Sequence, residues 1–99
     1  MGAERIIVLQ GPIAWESLRD RLSASGFPPV VRMIDGLPAF PDESPDAAWK
    51  ELRLGFTSGM VTLRRDGTSI RCITWGTDDP ALMQARDACV DALMTLEDK

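Results

Sequence analysis

Two short turn signals inside one stretch of alternating apolar residues constrain this chain more than any other feature of its sequence. Asp66-Gly67 separates two alternating runs, and Asp-Gly in that position is the strongest local signal for a β-hairpin. Ser58-Gly59 can form a second turn of the same kind shortly before it. We therefore predict a three-stranded antiparallel meander over about residues 50–76.

The alternation of side chains tests this meander, because neighbouring residues of a strand point to opposite faces of the sheet. Turns at the two dipeptides pair Arg65 with Thr68 and Thr57 with Met60. With these registers all the apolar residues that alternate along the three strands share one face: Leu52, Leu54, Phe56, Val61, Leu63, Ile70 and Cys72. Two turns chosen independently thus predict one hydrophobic face.

The N-terminal part of the chain predicts a strand followed by a helix. Residues 5–10 form an apolar run typical of a strand that is buried on both faces. A helix is expected over about 12–25, with Pro12 as its first residue and Gly26 just after its end.

Two further elements flank the meander. Val30–Ile34 is rich in β-branched residues and predicts a strand that ends at the turn Asp35-Gly36. Asp79-Pro80 predicts the capped start of a last helix, which runs to about Glu97. The apolar stripe of that helix includes Cys89 and should face the sheet.

The stretch 36–45 contains three prolines and no periodicity, and it is read as a Pro-rich loop. We expect Phe40 to pack onto the edge of the core. Ser44-Pro45 is expected to open one short helical turn that reaches Trp49.

Together these elements predict one small α+β domain over residues 1–99, in the order β-α-β-β-β-β-α. We expect a mixed sheet with two helices packed on one of its faces, which leaves the opposite face open.

The residue types leave few options for catalysis. The 99 residues include no His, 15 acidic and 11 basic side chains, and the net charge is −4. Without imidazole, neither a Ser-His nor a Cys-His nucleophile can form. The two cysteines, Cys72 and Cys89, are widely spaced and make a poor zinc site. We expect no catalytic, cofactor-binding or metal-binding residues, and therefore a protein that is not an enzyme and needs no cofactor.

The apolar runs are short. The longest, Ile6-Ile7-Val8-Leu9, is far below the length of a membrane span, and the N-terminus lacks the pattern of a signal peptide. We expect a soluble, cytoplasmic protein with no membrane partner.

The open sheet face is where we expect binding. On the parity above it carries the candidate interface residues Arg53, Met60, Thr62, Arg64, Arg71, Ile73 and Trp75. The predicted register places Arg53 opposite Arg64, and Met60 opposite Ile73. Trp, Met and Arg are enriched where proteins contact one another, so this combination favours a protein interface.

Three hypotheses follow from this face and the acidic composition. The first is a non-catalytic interaction module that binds a second copy of itself or an acidic protein partner. The second is an acidic inhibitor or mimic that acts on a nucleic-acid-acting protein or a toxin, with loop carboxylates such as Asp42, Glu43 and Asp46. The third is single-strand nucleic-acid binding by the Arg/Trp face, against which the acidic total argues.

Overall fold

The computed structural model describes residues 3–8, 14–40, 43–45, 49–66, 69–74 and 79–97. The strands are β1 (Ala3–Val8), β2 (Val30–Ile34), β3 (Leu37–Pro38), β4 (Glu51–Phe56), β5 (Gly59–Asp66) and β6 (Ser69–Thr74), and the helices are α1 (Trp15–Ala24) and α2 (Pro80–Glu97). The α+β class and the predicted order of elements are confirmed. The two-residue strand β3 is an addition, inside the stretch predicted to be a Pro-rich loop.

The strands form one sheet in the order β1-β6-β5-β4-β2-β3, and every neighbouring pair is antiparallel. The prediction of a mixed sheet is therefore wrong. β1 and β2 run in the same direction, but β6, β5 and β4 separate them. The β-α-β start of the chain thus creates no parallel pair.

β4, β5 and β6 form the predicted meander, but both registers are shifted by two residues. Leu54 lies opposite Val61 instead of Leu63, and Leu63 lies opposite Cys72 instead of Ile70. A shift of two residues preserves the parity of the side chains. The apolar face is therefore the predicted one, although the predicted pairs are not.

Gly59 explains the shift in the first hairpin. The turn is Thr57-Ser58, and Gly59 is the first residue of β5, with φ of 141°. A Cβ atom on Gly59 would lie 3.2 Å from Cδ1 of Leu82 in α2. This glycine is thus explained by its backbone angle and by the close approach of a helix, and not by the two-residue turn predicted for it.

The register of the second hairpin shifts toward the C-terminus, whereas the turn of the first hairpin lies one residue earlier than predicted. β5 continues through Asp66, which pairs with Ser69. Asp66 is therefore a strand residue, while residues 67–68 lie outside the described part of the chain.

The inner face of the sheet forms the hydrophobic core with both helices. Its fully buried strand residues are Leu52, Leu54, Val61, Leu63, Ile70 and Cys72, each with 0 % of its surface exposed. α2 lies across β6, β5 and β1, and α1 packs against α2. Leu18 and Leu22 of α1 belong to the same core as Ala85 and Leu93 of α2.

Both cysteines are buried thiols that point into this core, as predicted. Burial raises the pKa of the Cys89 thiol, and the neighbouring Cys72 raises it further. Neither environment favours a reactive thiolate.

Helix α1 begins later than predicted but ends where predicted. Ala14 has an extended backbone, so the helix starts at Trp15, whereas Pro12, the predicted first residue, lies outside the described residues. The indole of Trp15 is buried in the core from the first turn. At the other end the N–H of Phe27 donates to the carbonyl oxygen of Leu22 (2.9 Å), and Gly26 has φ of 90°. These contacts form a Schellman cap.

Helix α2 begins at the predicted cap. The backbone N–H of Ala81 donates to Oδ1 of Asp79 at 2.9 Å, and Pro80 is the first helical residue. The side chain of Asp79 thus satisfies one of the unpaired amides of the first turn.

Strands β2 and β3 form a hairpin around Asp35-Gly36, where both residues have positive φ, 51° and 83°. The expected packing of Phe40 on the core is wrong, because the hairpin carries it away from the core and it is 74 % exposed. Ala39 packs against the core instead. The helical turn expected after Ser44-Pro45 falls on residues 46–48, outside the described residues.

Candidate protein-interaction face

The face of the sheet opposite the helices is called the outer face below. Cross-strand pairing arranges its side chains in rows that run perpendicular to the strands. One row is Ile6, Arg71, Arg64 and Glu51, and the next is Ile73, Thr62, Arg53 and Met33. The predicted interface residues Arg53, Met60, Thr62, Arg64, Arg71 and Ile73 all lie on this face, whereas Trp75 lies outside the described residues.

Arg64 lies between a carboxylate and a second cation. Its Nε donates to Oε2 of Glu51 on β4 at 2.9 Å, while Arg71 lies directly opposite on β6. Like charges in directly opposed positions destabilise a sheet. The predicted pair of Arg53 and Arg64 is wrong, because the shifted register places Arg53 opposite Thr62. An unfavourable pair of arginines exists, but it is Arg64 and Arg71, between β5 and β6 instead of between β4 and β5.

A fourth arginine reaches the outer face through an irregularity that sequence reasoning missed. The register between β2 and β4 shifts between Val31 and Met33, which leaves Arg32 as the extra residue of a bulge. A Cβ atom on Gly55 would lie 2.8 Å from Nε of Arg32. Because Gly55 has no side chain, Arg32 can lie across the outer face. Arg32, Arg53, Arg64 and Arg71 are called the arginine cluster below.

The centre of the outer face is less open than predicted. Thr62 is 1 % exposed and Ile73 is 3 % exposed, so the expected exposure of both residues is wrong. Thr62 lies between Arg53 and Ile73 in its row. Its Oγ1 has no hydrogen-bond partner in the part of the chain that the structure describes. These two residues therefore form a support for the exposed side chains around them.

Exposed apolar side chains lie toward the margins of the outer face. Met60 is 47 % exposed, and Ile6 and Val8 on β1 are 56 % and 67 % exposed. Among the β1 side chains that the structure describes (residues 6–8), Ile7, 8 % exposed, is the one that faces the core. The prediction that this strand is buried on both faces is wrong, because β1 is an edge strand and only one of its faces meets the helices.

The charge of the outer face differs from that of the whole chain. Its described cations are the four residues of the arginine cluster, and the registers place three acidic residues beside them: Glu51, Asp66 opposite Ser69, and Glu4 opposite Ile73. Elsewhere, exposed acids such as Glu16, Asp20 and Asp91 lie on the helices. A chain with a net charge of −4 therefore has one locally cationic face.

The remaining well-ordered polar contacts have structural roles. Oδ1 of Asp35 accepts the backbone N–H groups of Lys50 (2.7 Å) and Glu51 (3.0 Å), which joins the β2–β3 hairpin to the start of β4. These two hydrogen bonds are the main cause that lowers the pKa of Asp35. The guanidinium of Arg65 lies over the ring of buried Trp49, 4.3 Å from its centroid. This cation–π contact closes one end of the core.

No group of three or more His, Cys, Asp or Glu side chains within the described ranges could hold a metal ion. No helix of the described chain is long and apolar enough to cross a membrane.

Comparison of the chain with family models, with curated proteins and with solved structures finds no match. Its function is therefore argued from the residues of the outer face.

Proposed function

We propose that this protein is a non-catalytic interaction module whose outer face binds an acidic surface of another protein. The observation that supports this proposal most is the arginine cluster of an acidic chain, on the sheet face opposite the two described helices. Two of its members, Arg64 and Arg71, are directly opposed. A partner carboxylate placed between them would replace a repulsion with two attractions.

The side chains around the cluster suit a protein partner. Guanidinium groups bind carboxylates through paired N–H donors, which makes arginine well suited to acidic side chains at interfaces. Met60 and Ile6 add exposed apolar surface at two margins of the cluster. Arginine at the centre with apolar residues beside it is typical of protein-interaction surfaces.

The charge of the face argues against its binding to a second copy of itself. A two-fold axis brings the same patch of both copies together, so cationic residues would meet cationic residues. Such contacts oppose association unless acidic groups intervene. We therefore favour a foreign acidic partner over face-to-face dimerisation.

Single-stranded nucleic acid is the alternative that the same cations could serve. Such binding usually combines cations with aromatic side chains on which bases stack. The described part of the outer face has arginines but no aromatic residue. An oligonucleotide is accordingly an arm of the test below.

The acidic peptide test uses a short, fluorescently labelled glutamate-rich peptide and measures its anisotropy with the folded protein. The variant Arg71→Glu places an acid opposite Arg64, so it reverses one charge of the cluster and relieves a repulsion in the fold. We expect binding to weaken by about tenfold or more, which corresponds to roughly 1.4 kcal/mol. Binding should also weaken with added salt.

Arg19→Glu is the matched control, because Arg19 lies on α1, away from the sheet, and the variant changes the net charge equally. It should bind the peptide almost as well as the original chain. Equal losses in both variants would show that only total charge matters. Tighter binding of a single-stranded oligonucleotide than of the peptide would favour the alternative, and the absence of peptide binding at low salt would contradict the proposal.

A further inference from the structure

We propose that the free edge of β1 pairs with β1 of a second copy of this chain, which joins two sheets into one continuous sheet. β1 is the outermost strand, and its residues from Ala3 to Val8 pair with β6 on one side only. No strand in the described ranges pairs with its other side. This inference concerns the edge of β1 and not the arginine cluster; the two surfaces share Ile6, which borders both, but the inference does not depend on the proposed function.

The two edges of the sheet are protected to very different degrees. At one edge, β3 has two residues and includes Pro38, which lacks a backbone N–H, and the adjoining β2 contains a bulge. Short strands, proline and bulges are the devices by which proteins prevent edge pairing. β1, at the other edge, has six residues, no proline and no shift in its register with β6.

Glu4 and Arg5 are charged residues in the first half of β1, whereas its second half, Ile6-Ile7-Val8, is apolar. Ile6 and Val8 are 56 % and 67 % exposed on the outer face, while Ile7 between them is buried in the core. β-Branched residues on a long free edge favour the addition of another strand. Left uncovered, the same edge would be a site of aggregation.

A second copy is the occupant that the pattern fits best. An antiparallel strand is self-complementary under a two-fold axis perpendicular to the sheet, because each N–H and C=O then meets its counterpart from the other copy. With the axis at Ile7, Ile6 of one copy lies opposite Val8 of the other. Apolar surface is thus covered by apolar surface.

This arrangement also avoids the electrostatic problem of face-to-face contact. On the outer face Arg71 lies one strand inside the edge, behind Ile6. In the joined sheet the two arginine clusters would lie side by side, separated by the two β1 strands, and the helices of both copies would lie on the opposite side. The dimer would therefore present one wide cationic face.

The test measures the solution mass of the full chain by light scattering and by sedimentation equilibrium over a wide range of concentrations. We expect a mass of twice 10.9 kDa for the original chain. The double variant Ile6→Lys/Val8→Lys should return to 10.9 kDa, because lysines on an edge oppose strand pairing. Both residues are exposed, so the variant should remain folded, which circular dichroism verifies.

Leu37→Lys is the matched control, since Leu37 is 69 % exposed on β3 at the opposite edge. This variant should remain a dimer. Hydrogen exchange gives a second measurement: the backbone amides of β1 that point away from β6 should be protected in concentrated solution and should lose that protection on dilution.

Three results would overturn this inference: a monomer at every concentration, a dimer that survives both lysines on β1, or equal loss of the dimer in Leu37→Lys. A dimer lost in Met60→Lys but kept in the β1 variant would instead assign self-association to the outer face. The peptide test measures an affinity that depends on Arg71, whereas the solution mass depends on the edge of β1. The two proposals can therefore fail separately.

Discussion

The two faces of the β4–β6 meander are built by the same three strands and the same alternation, yet they differ in almost every property. The inner face contains six residues with no exposed surface, which form the core together with both helices. The outer face carries arginines, one of which lies directly opposite another. The inner face can account for the stability of the sheet, and that stability allows the outer face to keep an unfavourable pair.

The largest expected difference between the faces is in the cost of truncating a side chain. Leu63→Ala removes a fully buried side chain from the inner face and should lower the free energy of unfolding by about 2–5 kcal/mol. Met60→Ala truncates a side chain on the outer face of the same strand that is 47 % exposed. It should change the free energy of unfolding by less than about 0.5 kcal/mol. Urea denaturation of both variants measures the two values.

Comparable losses for the two variants would break this comparison. They would mean that the outer face is packed against a further part of the chain, and the arginine cluster would then be a structural feature. Unchanged m-values in both variants are needed for the comparison, because they show that the same surface is exposed on unfolding.

Two glycines provide the next comparison: a Cβ atom on Gly59 would point to the inner face of the meander, and one on Gly55 to the outer face. Gly59→Ala should destabilise the fold by about 1–3 kcal/mol, because the residue has φ of 141° and its Cβ would lie 3.2 Å from Leu82. Gly55→Ala should be almost neutral, within about 1 kcal/mol, although its Cβ would lie 2.8 Å from Nε of Arg32. The end of an exposed arginine can move, whereas a core leucine and a backbone angle cannot.

Thermal or chemical denaturation of the two alanine variants tests that difference. A large loss of stability in Gly55→Ala would show that Arg32 is held rigidly across the outer face. The arginine cluster would then be a preorganised site, which would sharpen the proposal for a partner carboxylate.

Much of this difference between faces could be predicted from the sequence, because it depends only on parity. Side chains alternate along a strand whatever its partner, so Leu54 and Leu63 were assigned to the core although their predicted pairing was wrong. The capped ends of the helices could be predicted because capping, like parity, depends only on residues close in the sequence. Asp79 and Gly26 act on backbone groups a few residues away.

The features that could not be predicted depend on distant parts of the chain. The sequence predicts Gly59 as a turn residue, but the close approach of Leu82 in the last helix is what leaves no room for a side chain there. The exposure of Ile6 depends on the strand order, because an apolar run alone cannot distinguish an edge strand from a central one. Arg32 reaches the outer face through a bulge, and no residue pattern in β2 indicates that bulge.

A small effect on stability is expected for Arg71, and it has the opposite sign to the effect of this residue on binding. Arg71→Glu replaces a like-charged cross-strand pair with an opposite one and should stabilise the fold by about 0.2–1 kcal/mol at low salt. Arg71→Gln should give a smaller gain, since it removes the repulsion without adding an attraction, and high salt should reduce both gains. Urea midpoints at two ionic strengths measure them. A loss of stability in both variants would mean that Arg71 supports the fold, whereas a gain in stability combined with weaker binding of the acidic peptide is the result expected of a residue retained for its partner.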